Sequence, residues 1–247
     1  RDGNTHELKT ALGVALSPDG QHLYVTTYLG GTLSVYNVDS DGALSNLRIY
    51  RSDNIYELDG AWNVALSPDG QHLYVTALIG DALSVYDVAS DGALSNPRIY
   101  RHGNIHQLNG AWGVALSPDG QHLYVTAHDR DTLSVYDVAS DGALSNRRYL
   151  ASNNKLFGVR DMTLSPDGQH LYVTASKRRE GTLSVYDVAS NGTLSNPRVY
   201  RNGALSNPRV YRNVDTHELN VDLSIVAYCV SIVLITFIDC AVVRMSP

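Results

Sequence analysis

The chain has 247 residues, 43% of them hydrophobic and 18% charged, with a formal net charge of -6. That composition is globular rather than disordered, and the acidic balance leaves no electrostatic footprint for nucleic acid. Both cysteines, Cys229 and Cys240, lie near the C-terminus, so the body of the chain carries no disulfide and no cysteine metal site, and cytoplasm and periplasm suit it equally.

From Arg1 the sequence shows neither an initiator Met nor a charged-then-apolar leader, the pattern of a mature form or a fragment. The first repeated element follows at once. Ser-Pro-Asp-Gly-Gln-His-Leu-Tyr-Val-Thr begins at Ser17 and recurs at Ser67, Ser117 and Ser165, inside a unit of about 50 residues. The second unit runs Gly60–Gly70, then His72–Ala77, then Ala82–Val88, and closes with Asn96-Pro97-Arg98-Ile99-Tyr100-Arg101, four short runs rich in Val, Leu, Tyr and Thr. Turn residues separate these four runs, which predicts four short antiparallel strands.

Pro68-Asp69-Gly70 makes the first turn: Pro presets φ, Asp bonds locally and Gly accepts positive φ. Asp41-Gly42, Asp91-Gly92, Asp141-Gly142 and Asn191-Gly192 do the same between the third and fourth strands. Four hairpin-linked strands per unit predict an all-β fold, a β-propeller of four-stranded antiparallel blades, with four complete blades and a partial fifth. An open solenoid would have shorter repeats and fewer hairpins. In Leu73-Tyr74-Val75-Thr76, successive side chains face opposite sides of the blade, and stacked blades bury both sides.

These residues carry a resemblance. Leu-Ser-Pro-Asp-Gly-Gln-His-Leu-Tyr-Val-Thr and Thr-Leu-Ser-Val-Tyr-Asp-Val resemble the lactonase-like β-propeller family of 6-phosphogluconolactonases and carboxymuconate-lactonizing enzymes, related to Tyr-Val-Thr-Asn surface-protein repeats. The resemblance covers roughly residues 11–213 and rests on turn and core positions. It implies seven blades, more than these units supply: either four or five blades close a ring, or the chain is a fragment of a longer propeller, in which case an incomplete array would expose a blade face and invite self-association.

The chain divides into blade repeats at 1–213 and an atypical apolar tail at 214–247. Asn191–Arg201 is echoed at once by Asn202–Arg212, and Thr216-His217-Glu218-Leu219 repeats Thr5-His6-Glu7-Leu8 as if a fifth blade were starting. Leu223–Ile238 is then almost continuously apolar, up to Asp239. A membrane helix, a buried strand pair and a degenerate fifth blade with a scrambled end all stay open, and no membrane protein is assigned.

No Gly-x-Ser-x-Gly elbow, zinc-protease motif, P-loop or dinucleotide fingerprint occurs, and no cofactor or metal is expected. His22, His72, His122 and His170 each follow the same turn, which points to a repeated structural need rather than a ring of ligands. Asp87, Asp137 and Asp187 read as hydrogen-bond acceptors near a strand end.

Function belongs to the segments that vary. In a propeller the inter-blade linkers and the loops between second and third strands open on one face. The linkers carry His6, Glu7, Tyr56, Glu57, His106, Gln107 and Lys155, and the loops carry Tyr28, His128-Asp129-Arg130 and Lys177-Arg178-Arg179-Glu180. Trp62 and Trp112 open inner strands where the fourth unit has Arg160. Gly158-Val159-Arg160-Asp161-Met162 resembles a lactonase-family segment that sends an arginine into the central channel.

Lactone hydrolysis needs a base for water and a cation for the oxyanion. His106, His128 or Glu57 can be the base, and Arg130 or Arg160 the cation. Lys177 and Arg178 can hold a phosphate or carboxylate, and Trp112 a ligand ring. The expected partner is a small anionic sugar or carboxylate lactone. The alternative is a non-catalytic propeller that binds protein, carbohydrate or a cell surface, favoured by the near-identity of the second and third units, which suits multivalent contact. Unlike residues in the rim loops favour one unique site.

Overall fold

The computed structural model describes Leu8 and residues 10–51, 57–103, 107–151, 156–177 and 180–201. The expected fifth blade, the apolar tail and the boundary at 213/214 lie outside the described residues. So do His6, Glu7, Tyr56, His106, Lys155 and Arg178, while Lys177 is described only in its backbone.

Among the described residues, sixteen strands form four separate sheets. Blade 1 comprises β1 Ala11–Leu16, β2 His22–Thr27, β3 Thr32–Val38 and β4 Leu44–Arg51. Blade 2 comprises β5 Ala61–Leu66, β6 His72–Ala77, β7 Ala82–Val88 and β8 Leu94–Arg101. Blade 3 has β9 Ala111–Leu116, β10 His122–Ala127, β11 Thr132–Val138 and β12 Leu144–Ala151. Blade 4 has β13 Val159–Leu164, β14 His170–Lys177, β15 Glu180–Val188 and β16 Leu194–Arg201. Within each sheet the strands pair antiparallel in chain order, which is the meander of a propeller blade. No helix among these residues is long and apolar enough to cross a membrane.

The repeated decapeptide closes the first hairpin. Ser17 Oγ donates to Asp19 Oδ1 at 2.5 Å, the Gln21 amide reaches the same oxygen, and the His22 amide donates to Ser17 Oγ at 2.9 Å. These bonds hold the Asp19 carboxyl below its ordinary range, the Ser17 hydroxyl contributing most.

Alternation then builds the core. Tyr24, Leu33 and Val35 of blade 1 pack on Leu58, Val64, Leu73, Val75 and Tyr86 of blade 2. Equivalent layers join blade 2 to blade 3 and blade 3 to blade 4. The three Tyr rings at 24, 74 and 124 are fully buried. Each such ring buries on the order of 150–250 Å² and so supplies much of the layer's cohesion.

The blades are also stitched at their rims. His22, His72 and His122 bring Nε2 to within 3.4, 3.3 and 3.2 Å of the Ser90, Ser140 and Ser190 carbonyls of the following blade. Nδ1 of His72, His122 and His170 lies 3.3 Å from Asp87, Asp137 and Asp187. Those carboxylates accept from Arg98, Arg148 and Arg198 and from the left-handed Asn96, Asn146 and Asn196. The repeated histidines and aspartates are therefore part of the scaffold.

Candidate functional site

In all four blades the innermost strand carries a bulge. Ala61 pairs with Ala77 and Val64 with Val75, so three steps on β5 oppose two on β6, and β1, β9 and β13 repeat the pattern. A bulge tilts its side chains away from the regular face of the sheet. The bulged positions are Leu12-Gly13, Trp62-Asn63, Trp112-Gly113 and Arg160-Asp161, so the irregularity aims these residues out of the blade layers.

A threonine braces each bulge. The amides of Gly13, Asn63, Gly113 and Asp161 donate to Oγ1 of Thr26, Thr76, Thr126 and Thr174. The hydroxyls of Thr26 and Thr76 donate onward to the Trp62 and Trp112 carbonyls at 2.8 and 2.5 Å, and that of Thr126 to the Arg160 carbonyl. One side chain thus shapes its own blade's bulge and holds the next blade's.

Gly113 has to be glycine. A Cβ there would come within 2.9 Å of the Arg160 carbonyl oxygen and 3.0 Å of Asp161 Oδ1. Through this space Asn63 of blade 2 donates to Asp161 of blade 4 at 3.2 Å. Three consecutive inner strands therefore converge at this level, and Asp161 is almost fully buried there.

The second-to-third-strand loops of blades 1 to 3 fold over the starts of the inner strands, and in blade 4 the end of β14 does so. The Tyr28, Leu78, His128 and Ser176 amides donate to the carbonyls of Thr10, Gly60, Gly110 and Gly158. The loops and the strand starts therefore share one face, as propeller geometry predicts.

On that face a row of rings crosses three blades. Tyr28 meets Trp62 edge-on at 5.5 Å, Trp62 meets Trp112 at 4.0 Å, and Trp112 meets His128 at 5.1 Å, tilted by 32°. The Arg160 guanidinium lies 4.9 Å from the Trp112 ring centroid. A cation over an indole contributes about 0.5–2 kcal/mol, increasing as water is excluded. His128 opens a 3-10 turn, His128–Arg130, and its Nδ1 lies 3.1 Å from Asp129 Oδ1. Arg160 Nε is buried and makes no hydrogen bond among the described residues.

The residues expected from sequence separate at this point. Trp112, His128 and Arg160 come together. Arg130, in the same turn as His128, is exposed. The described contacts of Glu57 lie within its own blade: its carboxylate is 4.0 Å from Arg101, and its carbonyl accepts from Ser84.

Three contributors were not visible in the sequence: the bracing threonines, the Asn63–Asp161 bond, and the paired roles of Asp81 and Asp131. Both aspartates are left-handed, at φ 49° and 52°, and accept from the amides of Gly110 and Gly158 at the next inner strand. Threonine in every Tyr-Val-Thr run was the available signal for the first. Among the described residues, no group of three or more His, Cys, Asp or Glu could hold a metal ion.

Comparison with known proteins agrees with this architecture. The family model "Lactonase, 7-bladed beta-propeller" matches residues 13–103 and 97–204. Among solved structures, a candidate 6-phosphogluconolactonase from Bacteroides uniformis superposes with a TM-score of 0.64 at 19% identity, covering 75% of this chain and 52% of that one. A Lactobacillus plantarum protein gives 0.62 at 25% identity, covering 75% and 55%. The periplasmic gluconolactonase of Pseudomonas aeruginosa gives 0.59 at 24% identity, covering 75% and 56%. The chain thus spans about half the length of these relatives. No curated protein matches it in sequence.

Proposed function

The chain belongs to the lactonase family of seven-bladed β-propellers, and from that premise we propose that it opens a small anionic lactone on the face carrying Trp112. The observation that carries this reading is that His128 of blade 3 and Arg160 of blade 4 both lie against one indole ring. Two unlike groups from different blades, base and cation, thereby flank a single surface on which a sugar ring can lie.

In this reading His128 removes a proton from water, with Asp129 orienting its imidazole. The resulting hydroxide adds to the lactone carbonyl carbon, and the oxyanion forms beside the Arg160 guanidinium, whose Nε makes no hydrogen bond among the described residues. Collapse breaks the ring C–O bond, and the imidazolium returns its proton to the departing alkoxide. Water is consumed and one hydroxy acid is formed. Lys177 and Arg178 supply positive charge for a phosphate or carboxylate, while Glu57, His106 and Arg130 are the other ionisable groups proposed for this rim.

The test is hydrolysis followed by pH-stat across sugar lactones and phosphorylated sugar lactones. His128→Ala is expected to lower turnover by about 10²–10⁴-fold and Arg160→Ala by about 10²–10³-fold. Turnover unchanged in both variants would overturn the assignment. The row Tyr28–Trp62–Trp112 supports a second reading, a stacking surface that binds a sugar ring without turning it over. It predicts quenching of tryptophan fluorescence by sugar acids, abolished in Trp112→Ala, from a protein that shows no hydrolysis.

A further inference from the structure

The loops on the face carrying Trp112 divide by chemistry. Positions 78–80, between the second and third strands of blade 2, read Leu, Ile and Gly, where positions 128–130 of blade 3 read His, Asp and Arg. Both loops sit in the same way on their inner strands. A Cβ on Gly110, just before β9, would lie 2.9 Å from the Asp129 carboxyl carbon. One on Gly60, just before β5, would lie 2.8 Å from Ile79 Cγ1 and 3.1 Å from the Tyr28 ring. An aliphatic side chain thus holds over blade 2 the place that a carboxylate holds over blade 3. Ile79 is 52% exposed, although its blade has a described neighbour on each side. Asp81, the nearest charged residue along that loop, is engaged elsewhere, accepting from the Gly110 amide and the Asn109 carboxamide.

The row of rings continues this division. From Trp112 one direction leads to His128 and Arg160, and the other to Trp62, then to Tyr28 beside Ile79. Trp62 is tilted by 49° to Trp112, and Tyr28 stands at 88° to Trp62, so the row is not a flat platform on which successive sugar rings could lie. An aliphatic surface such as Ile79 gains from being covered by hydrocarbon, whereas a hydroxyl brought against it loses water without gaining a partner.

We infer that the substrate of this face is a lactone with two unlike ends: an anionic ring seated at Trp112 beside His128 and Arg160, and an apolar substituent running over Trp62 toward Tyr28 and Ile79. The placement of the ring rests on the lactone-opening reading above. The apolar surface belongs to the same ligand because Trp112 is shared, touching His128 and Arg160 on one side and Trp62 on the other. The ring centroids of Trp112 and Trp62 are 4.0 Å apart, and those of Trp62 and Tyr28 are 5.5 Å apart. A methyl group on the lactone therefore stays near Trp112, whereas a butyl or phenyl group covers Trp62.

Hydrolysis of γ-butyrolactone carboxylate, unsubstituted or with a methyl, butyl or phenyl group on the ring, tests this. Binding of the matching hydroxy acids is followed in parallel by tryptophan fluorescence. KM is expected to fall about two- to fourfold per covered methylene, with kcat changing less, because the contact is the same in ground and transition states. Ile79→Asp, which copies the residue of blade 3, is expected to raise KM for the butyl and phenyl lactones about tenfold. Ile79→Ser replaces it if circular dichroism shows a loss of strand content. Hydrolysis with equal KM across the series would overturn the inference and leave the lactone-opening reading in place, and so would a preference that survives the Ile79 substitution. If no lactone is opened, but the butyl and phenyl acids bind more tightly than the unsubstituted acid and lose that preference in Ile79→Asp, the division of the face is supported and the catalytic reading fails. Equal binding of all the acids without hydrolysis would overturn both.

Discussion

Thr126→Val isolates the brace between blades 3 and 4. Valine keeps the shape and removes the hydroxyl, which is fully buried and bonded on both sides. The Gly113 amide loses its acceptor at 2.7 Å, and the Arg160 carbonyl loses its donor. Each buried backbone group left unpaired costs about 1–3 kcal/mol, so the two together cost about 2–6 kcal/mol. With an m-value of about 2 kcal/mol/M, that lowers the urea midpoint by roughly 1–3 M. Thr174→Val is the internal control, because among the described residues Thr174 bonds only the amide and carbonyl of Asp161 in its own blade, at 3.2 and 3.1 Å, and is less buried. Its cost should stay near about 1–2 kcal/mol. Urea unfolding followed by tryptophan fluorescence reads the loss where it occurs, since Trp112 and Arg160 share the disturbed bulges. Equal midpoints for the two variants would refute the claim that the threonine hydroxyl couples one blade to the next.

Three further outcomes follow from the same geometry. Asp131→Ala removes the acceptor of the Gly158 amide and leaves alanine at φ 52°, so stability should fall by about 2–4 kcal/mol, read from the midpoint of chemical unfolding. His122→Ala should cost about 1–2 kcal/mol through the lost Ser190 contact, whereas His170→Ala should cost much less because the His170 side chain is 40% exposed against 10% for His122; equal losses would contradict the stitching role. Burial pushes the Tyr24, Tyr86, Tyr124 and Tyr136 hydroxyls up to about 12 from 10.0. The unfolded chain releases these protons first, so their stabilising contribution is complete below pH 10 and disappears as pH rises toward 12. A Tm that stays constant between pH 9 and pH 12 would refute it.

The blade itself was legible in the sequence because its determinants are local. Pro68-Asp69-Gly70 sets a hairpin whatever surrounds it, and the alternation in Leu73-Tyr74-Val75-Thr76 assigns faces without knowledge of the neighbouring blade. The inner-strand bulges were hidden, because Ala61–Leu66 reads as one regular strand and the extra residue shows only in its register with β6. The bond from Asn63 to Asp161 joins blades that are not adjacent, and no spacing in the chain announces it. At the site, Trp112 and Arg160 were marked by standing where the repeats differ, which is also why His128 could be picked out. Glu57 could not be placed, since its contact with Arg101 depends on how the linker lies against its own blade.

The sameness of the blade contacts has a kinetic consequence. Blade 2 and blade 3 present nearly the same docking and receiving faces, so during folding a blade could seat on the wrong neighbour, or on another molecule, with almost the same gain. Surface recognition alone cannot tell these outcomes apart. The short segments 52–60, 102–110 and 152–158 can, because a tether of that length keeps the next blade at a high effective concentration beside the correct partner. Blade order is then set by the tether, and lengthening a linker with inert residues should raise misassembly and the loss of refolding yield with concentration, although no contact in the folded array has changed.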